Sequence, residues 1–148
     1  MTFRPFEPAD TAACLALFDA NCPASFAPNE RDDYVAFLSN LPGPYDVCII
    51  DDLVVGAAGL APHGPVALAI RWIVIAREHQ GRGLGRAVMQ HLIDEAVKRG
   101  GERVDIATSQ HSAPFFAKFG AVFLSATEDG WGPGMHRIDM VLRLNGVA

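Results

Sequence analysis

The sequence predicts an α/β domain built on a mixed, mostly antiparallel sheet flanked by about four helices, and three observations carry that expectation. Three apolar runs, Tyr45–Ile50, residues 53–61 and residues 66–75, follow one another with only turn residues between them, the pattern of an antiparallel meander. From Leu84 onward apolar residues recur as Leu84, Val88, Leu92, Ala96 and as Met89, Ile93, Val97, the i, i+4 spacing of a helix packed along one face. A further strand, Arg103–Thr108, comes directly after that helix, so a strand–helix–strand unit is set into the antiparallel series.

Each element has a local reason. Residues 2–4 read as a short first strand ended by Pro5. Asp10 is placed to cap a helix that carries Ala13, Leu15, Leu17 and Phe18 as far as Ala20. Pro23 and Pro28 bracket a loop, and a second helix over residues 32–40 presents Tyr34, Phe37, Leu38 and Leu41 before Leu41-Pro42-Gly43-Pro44 stops it. Asp51-Asp52 turns the first two strands of the meander, and Pro62-His63-Gly64-Pro65 turns the next two. Lys98 and Arg99 complement the dipole at the end of the long helix, and Gly100-Gly101 terminate it. Residues 112–119 read as a short helix, 121–126 as a strand, 128–134 as a Gly-rich loop and 137–144 as the last strand.

The 148 residues are one domain's worth, with no repeat or linker dividing residues 1–148. A chain of that size buries roughly 68–70% of its unfolded surface and needs no staple. Half the residues are hydrophobic and 20% are charged, which excludes a disordered chain. Lys plus Arg total 12 against Asp plus Glu 17, a net charge of −5, which argues against nucleic acid or an anionic membrane as partner. Cys14, Cys22 and Cys48 show no CxxC or Cys/His spacing; they suit a reducing cytosol, and no metal site is expected. The start, Met1 to Glu7, lacks the charged-then-apolar run of a signal peptide. Residues 53–70 carry no formal charge, yet Gly56, Gly59 and Pro62 to Pro65 make them two strands and a turn, not a membrane helix. A soluble cytoplasmic protein is expected.

The strongest chemical signal is Ile73-Val74-Ile75-Ala76-Arg77-Glu78-His79-Gln80-Gly81-Arg82-Gly83-Leu84-Gly85-Arg86, a Gly-rich turn feeding directly from a strand into a helix. Such a turn aims backbone N–H groups at one point, the helix end adds about half a positive charge, and absent Cβ atoms admit a phosphate. The alternative is that the glycines only make a tight turn. The P-loop is excluded because no Gly-Lys-Ser/Thr follows, and the dinucleotide fingerprint is excluded because Arg86 stands where its third glycine belongs.

The segment resembles the acyl-CoA pyrophosphate loop of the GNAT superfamily of N-acetyltransferases, written Gln/Arg-x-x-Gly-x-Gly/Ala: Gln80, Gly83 and Gly85 match it, with Gly81 and Arg82 as frequent fillers. A second element, Ser109-Gln110-His111-Ser112-Ala113-Pro114-Phe115-Phe116-Ala117-Lys118-Phe119-Gly120, resembles the family's helix ending in Phe-Tyr-x-Lys-x-Gly-Phe beside the cofactor's thiol arm. The order of elements fits over nearly the whole chain. The resemblance implies a GNAT-like sheet splayed into a V-shaped cleft for acetyl-CoA. It implies that backbone groups of Ile73 and Ile75 pair with pantetheine and that amides of Gly81, Arg82, Gly83, Leu84, Gly85 and Arg86, beside Gln80, cradle the pyrophosphate. Ser109 stands where the family often has an Asn on pantetheine. It further implies direct acetyl transfer to a primary amine of a small molecule or peptide, with no covalent acyl-enzyme, in a monomer or homodimer.

One departure matters. Phe116 occupies the position of the Tyr often credited as general acid and cannot donate a proton, which leaves a non-catalytic acyl-CoA-binding or sensing domain as the alternative reading. Glu78, His79 and His111 are the candidate catalytic groups, each of which could equally be a solvent-facing or capping residue. Arg71, inside an apolar strand, belongs either at a sheet edge or in the acceptor cleft. Residues 23–29 with Phe26, and residues 127–137 with Trp131, His136 and Arg137, are the expected acceptor walls.

Overall fold

Strands β1 (Thr2–Pro5), β2 (Tyr45–Ile50), β3 (Leu53–Pro62), β4 (Ala67–Ile75), β5 (Arg103–Thr108), β6 (Val122–Gly132) and β7 (Met135–Arg143) form one seven-stranded sheet in the order β1-β2-β3-β4-β5-β7-β6. The computed structural model describes residues 1–79 and 83–144. Every neighbouring pair is antiparallel except β4 and β5, which run parallel. Helix α3 (Leu84–Lys98) is their crossover; α1 (Thr11–Ala20), α2 (Arg31–Ser39) and the short α4 (Ala113–Ala117) complete the mixed α/β fold expected from the sequence.

The two faces of the sheet are covered by different helices. A Cβ on Gly56 would lie 3.7 Å from Val88 of α3, whereas one on Gly59 would strike the Tyr45 ring at 2.8 Å, and the Tyr45 hydroxyl lies 2.8 Å from that of Tyr34 in α2. Residues 56 and 59, three apart on one strand, therefore face opposite sides. Val88, Met89, Leu92 and Ala96 fill the α3 side, and Cys14, Leu17, Phe18, Tyr34 and Leu38 the α1/α2 side, all buried.

Several boundaries coincide with the sequence expectation, and the departures have physical reasons. Asp51 and Asp52 both take positive φ (51° and 66°), the two-residue turn that matches strand twist. Residues 53–70 are β3, a turn and the start of β4, and among the described residues no helix is long and apolar enough to cross a membrane. Asp10 precedes α1 but does not cap it: its carboxylate accepts from the Glu7 N–H and from both Arg4 guanidinium nitrogens at 2.8–2.9 Å. Helix α4 spans Ala113–Ala117, shorter than residues 112–119. The expected Gly-rich loop 128–134 is largely strand: β6 runs on to Gly132, absorbing Glu128 to Trp131 as a wide irregularity against β7. Asp129 at φ 52°, whose carboxylate accepts the Gly134 N–H at 2.7 Å, supplies the bend that lets pairing resume.

Candidate active site

The parallel pair β4–β5 holds for only three residue pairs, Ala67 with Arg103, Leu68 with Val104 and Ala69 with Asp105. Beyond them the strands part, and a cavity of about 480 Å³ fills the gap between residues 70–75 of β4 and 106–109 at the end of β5. A bulge shapes the β4 side. Ala57 pairs with Val74 and Gly59 with Arg71, so Trp72 and Ile73 together face Ala58 alone, with Trp72 at φ 46°. An extra residue bends and twists a strand away from its neighbour. The bulge is held from below by hydroxyls: Tyr34 donates to Tyr45, which donates to the Trp72 carbonyl.

Backbone direction follows from the register. The Ala76 N–H donates to the Val55 carbonyl at 2.8 Å, so alternation turns the backbone of Ile73 and Ile75 toward the gap. The Ile75 carbonyl is met there by the Asn21 side-chain amide at 2.9 Å, and the same amide holds the Leu17 carbonyl at the end of α1. The Ile75 carbonyl, expected to serve pantetheine, is thus engaged by Asn21.

The cavity passes through the sheet. Ile75 lies opposite Gly56 and so faces α3, where its side chain comes within 3.8 Å of a Cβ built on Gly85. Arg71 lies opposite Gly59 and so faces α1 and α2, with Trp72 packed in tilted contacts among Phe26, Phe18 and Tyr34 on that side. Two reactants can therefore enter from opposite faces and meet in the gap.

On the α3 side the cavity reaches Gly85, Ser109, Ser112, Phe115 and Phe116. Gly83 opens α3 at φ 85°, a conformation that favours glycine, with open space where a Cβ would sit. The N–H groups of Leu84, Gly85 and Arg86 open the helix without carbonyls of a preceding turn. Leu84 itself is buried and Arg86 is exposed. A Cβ on Gly85 would meet the Phe115 ring at 2.7 Å, so packing against α4 also favours a glycine here. Gln80, Gly81 and Arg82 lie outside the described residues. Ser109 is buried and its hydroxyl accepts from the N–H groups of His111 and Ser112 at 3.3 Å, shaping the turn into α4. Phe116 is 2% exposed, with one edge on the cavity.

On the α1/α2 side the walls are Phe26, Glu30, Arg71, Trp131 and Arg137. Arg71 lies where β4 becomes an internal sheet edge, past its last pair with β5, and lines the cavity. Phe26 stacks on Phe18 at 4.9 Å. Trp131 donates its indole N–H to the Thr108 carbonyl at 2.8 Å and carries the Arg137 guanidinium 5.2 Å above its ring; Arg137 is also paired with Asp139 at 3.1 Å.

Glu30 is one cavity-wall residue that sequence reasoning missed. It is 6% exposed and accepts the Ala27 N–H at 2.7 Å. Burial raises its carboxyl above the ordinary range, an effect opposed by that hydrogen bond and reinforced by Asp33. A signal existed: Glu7-Pro8-Ala9-Asp10 and Ala27-Pro28-Asn29-Glu30 are the same Pro-x-acid entry to a helix, and among the described residues only the first is paired with an arginine. Asn21 and Phe115 were also missed, the one a polar residue after a helix, the other the neighbour of Phe116.

The remaining candidates divide. His111 lines the cavity, whereas Glu78 and His79, on the helical turn Arg77–His79, do not. Cys14 and Cys48 are buried, Cys22 half-buried, and none lines the cavity; burial pushes the Cys14 thiol up to about 11.

The sequence model of the acetyltransferase (GNAT) family matches residues 12–121. The chain belongs to the GNAT family of acetyltransferases. No curated protein matches it, but solved structures share its fold. A GNAT-family protein from Desulfovibrio desulfuricans is 22% identical, with 97% of this chain and 98% of that one covered at a TM-score of 0.80. An aminoglycoside 6'-N-acetyltransferase solved with coenzyme A is 15% identical, with 97% of each chain covered and a TM-score of 0.77. An acetyltransferase fold from Salmonella typhimurium, solved with acetyl-CoA, is 22% identical over 100% of this chain and 96% of that one, at a TM-score of 0.74. In this GNAT chain the splayed β4–β5 pair and the start of α3 are the parts that the sequence motifs marked.

Proposed function

We propose that the protein transfers the acetyl group of acetyl-CoA directly to a primary amine of a small molecule or peptide. The observation that carries this reading is the through-sheet gap between β4 and β5, opening beside the first turn of α3. Acetyl-CoA enters from the α3 side. Its pantetheine arm lies along β4 as an added strand, beside the backbone of Ile73 and Ile75. The opening amides of α3, from Gly83 to Arg86, receive the pyrophosphate, for which the helix end supplies partial positive charge. Ser109, Phe115 and Phe116 hold the thiol end. The acceptor amine approaches from the side of Phe26, Arg71 and Trp131.

An ammonium has no lone pair to attack with, so it first gives up a proton. The neutral nitrogen then forms a bond to the thioester carbonyl carbon, the carbon–sulfur bond breaks with its electron pair on sulfur, and a backbone N–H near Ile75 meets the transient oxyanion. With Phe116 unable to donate, the thiolate takes its proton from water. Cys14, Cys22 and Cys48 stand away from this path, which suits direct transfer.

A sensing domain that binds acyl-CoA without turning it over is the second reading, favoured by the missing hydroxyl at Phe116. The deciding experiment is calorimetric titration with acetyl-CoA followed by measurement of thiol release with a panel of amines, amino acids, peptides and aminoglycosides. Binding with turnover is expected. Binding without turnover across the panel would transfer the protein to the sensing class, and absence of binding would remove both readings.

A further inference from the structure

We infer that the α1/α2 side of the cavity is built for an acceptor carrying two charges, an amine that delivers its proton to Glu30 and an acidic group that is held by Arg71. The inference rests on the acetyl-CoA reading above and adds the acceptor class and the proton acceptor to it.

Glu30 is the one carboxylate on the cavity wall among the described residues, and it is nine-tenths buried there. Its single hydrogen bond, from the Ala27 N–H, engages Oε2 and leaves Oε1 with acceptor capacity. A buried carboxylate is costly unless paired. The equivalent acid at the start of α1, Asp10, is paired with Arg4 at 2.8 Å, but no cation among the described residues pairs with Glu30. A ligand ammonium is the partner that would complete it. The raised proton affinity that burial gives this carboxyl also suits it to take a proton at neutral pH.

Arg71 supplies the other half. The register places it on the same sheet face as Tyr45 and α2, hence on the same side as Glu30, and it lines the same cavity. No ion pair or side-chain hydrogen bond occupies it among the described residues, in contrast to Arg137, which is paired with Asp139 and spread over Trp131. A free guanidinium beside a cavity matches a carboxylate or a related oxyanion in a two-pronged contact. Trp131 lines the same cavity as an apolar wall, with its indole N–H committed to the Thr108 carbonyl.

The transfer balances with these groups. The acceptor ammonium gives one proton to Glu30, and its lone pair forms the nitrogen–carbon bond. As the carbon–sulfur bond breaks, the sulfur leaves with the electron pair. The nitrogen loses a second proton, the thiolate gains one, and Glu30 releases its own to solvent, so one proton is released overall for each amide made.

The test compares amines in matched pairs that differ only in the acid: amino acids against their amides and against the corresponding decarboxylated amines, with thiol release from acetyl-CoA as readout. The acid-bearing member is expected to have the higher kcat/KM by tenfold or more. Arg71→Ala should abolish that preference by raising KM for the acid-bearing member only. Glu30→Gln keeps an oxygen to accept the Ala27 N–H, so a purely structural cap would leave activity near native. A proton acceptor would instead lose about a hundredfold in kcat for every amine, with acetyl-CoA affinity unchanged. Equal rates within the pairs, an Arg71→Ala effect shared by both members, an active Glu30→Gln protein, or no turnover of any pair by a protein that binds acetyl-CoA would each overturn the inference. Failure to bind acetyl-CoA would instead strike at the acetyltransferase reading beneath it.

Discussion

The side-chain amide of Asn29 donates to the main-chain carbonyl of Trp131 at 2.6 Å, tying the entry of α2 to the far end of the edge strand β6. The two segments are also matched in shape, since a Cβ on Gly132 would fall 2.2 Å from Asn29 Oδ1 and 3.1 Å from the Ala27 side chain. This bond joins the two walls that carry Glu30 and Trp131. Asn29→Ala should therefore loosen the acceptor side alone. Because the bond is exposed, the stability loss should be about 1 kcal/mol or less. The KM for the amine should rise several-fold while acetyl-CoA affinity stays native. Steady-state kinetics in both substrates check this; a parallel loss of acetyl-CoA affinity would contradict it.

Gly85 and Phe115 form a complementary pair on the other side of the sheet. Gly85→Ala places a methyl 2.7 Å from the Phe115 ring, an overpacking expected to cost about 1–3 kcal/mol. Acetyl-CoA affinity should fall more than tenfold as the ring is pushed toward the cleft. The double variant Gly85→Ala/Phe115→Ala should recover part of the stability, and a thermodynamic cycle of the four proteins measures the coupling. Additive losses would show that the two residues act separately.

Phe116 should serve shape. Phe116→Tyr is expected to change kcat by less than about tenfold, because help of 10²–10⁴ from a general acid is not being forfeited where water protonates the thiolate. Phe116→Ala should cost about 3–5 kcal/mol through the void it leaves in the core, and should weaken acetyl-CoA binding as well. A Tyr variant accelerated a hundredfold would mean that the native protein lacks its acid.

Asp10 and Glu30 should respond to pH with opposite signs. Arg4 holds the Asp10 carboxyl below its ordinary value of 3.8. Asp10 thus contributes stability at pH values above 3.8, and that contribution is lost as pH falls through the lower folded value. Asp10→Asn should lower the Tm at pH 7, by about 1–2 kcal/mol in stability, and the deficit should shrink in acid. Burial holds the Glu30 carboxyl above its ordinary 4.5, so its ionisation opposes folding as pH rises through the folded value. Glu30→Gln should therefore have a higher Tm than native at pH 7.5, with the difference closing below pH 4. Thermal melts of both variants between pH 3 and 8 test the pair. Equal pH responses would refute the contrast between a paired and an unpaired acid.

The elements whose chemistry is local were legible in the sequence. Tyr45–Ile50 and Arg103–Thr108 occupy their expected residues because apolar runs between turn residues have one reading, and Leu84–Lys98 follows from its spacing. The bulge at Trp72 was not legible: it depends on Tyr45 and Tyr34 reaching a carbonyl from other elements. The continuation of β6 through Gly130 and Gly132 was hidden for a similar reason, since cross-strand pairing with β7 overrides glycine's local preference for turns. In the site, the glycine motif pointed to the start of α3, but the local sequence does not set Glu30 apart from Asp10. Its significance comes from burial on the cavity wall, and burial is a property of the assembled sheet.

The short β4–β5 pairing has a consequence for how the domain comes apart. Three residue pairs join β1–β4 to β5–β7, fewer than at any other junction in the sheet among the described residues. The β4–β5 junction is thus the narrowest in a sheet whose core is otherwise continuous, and amides flanking the gap should exchange with solvent through partial opening at a lower free energy than those of β3 or β7. Any molecule seated between the strands bridges the two sides of the gap. Its first effect on the protein is mechanical, fastening one half to the other before any bond is made or broken.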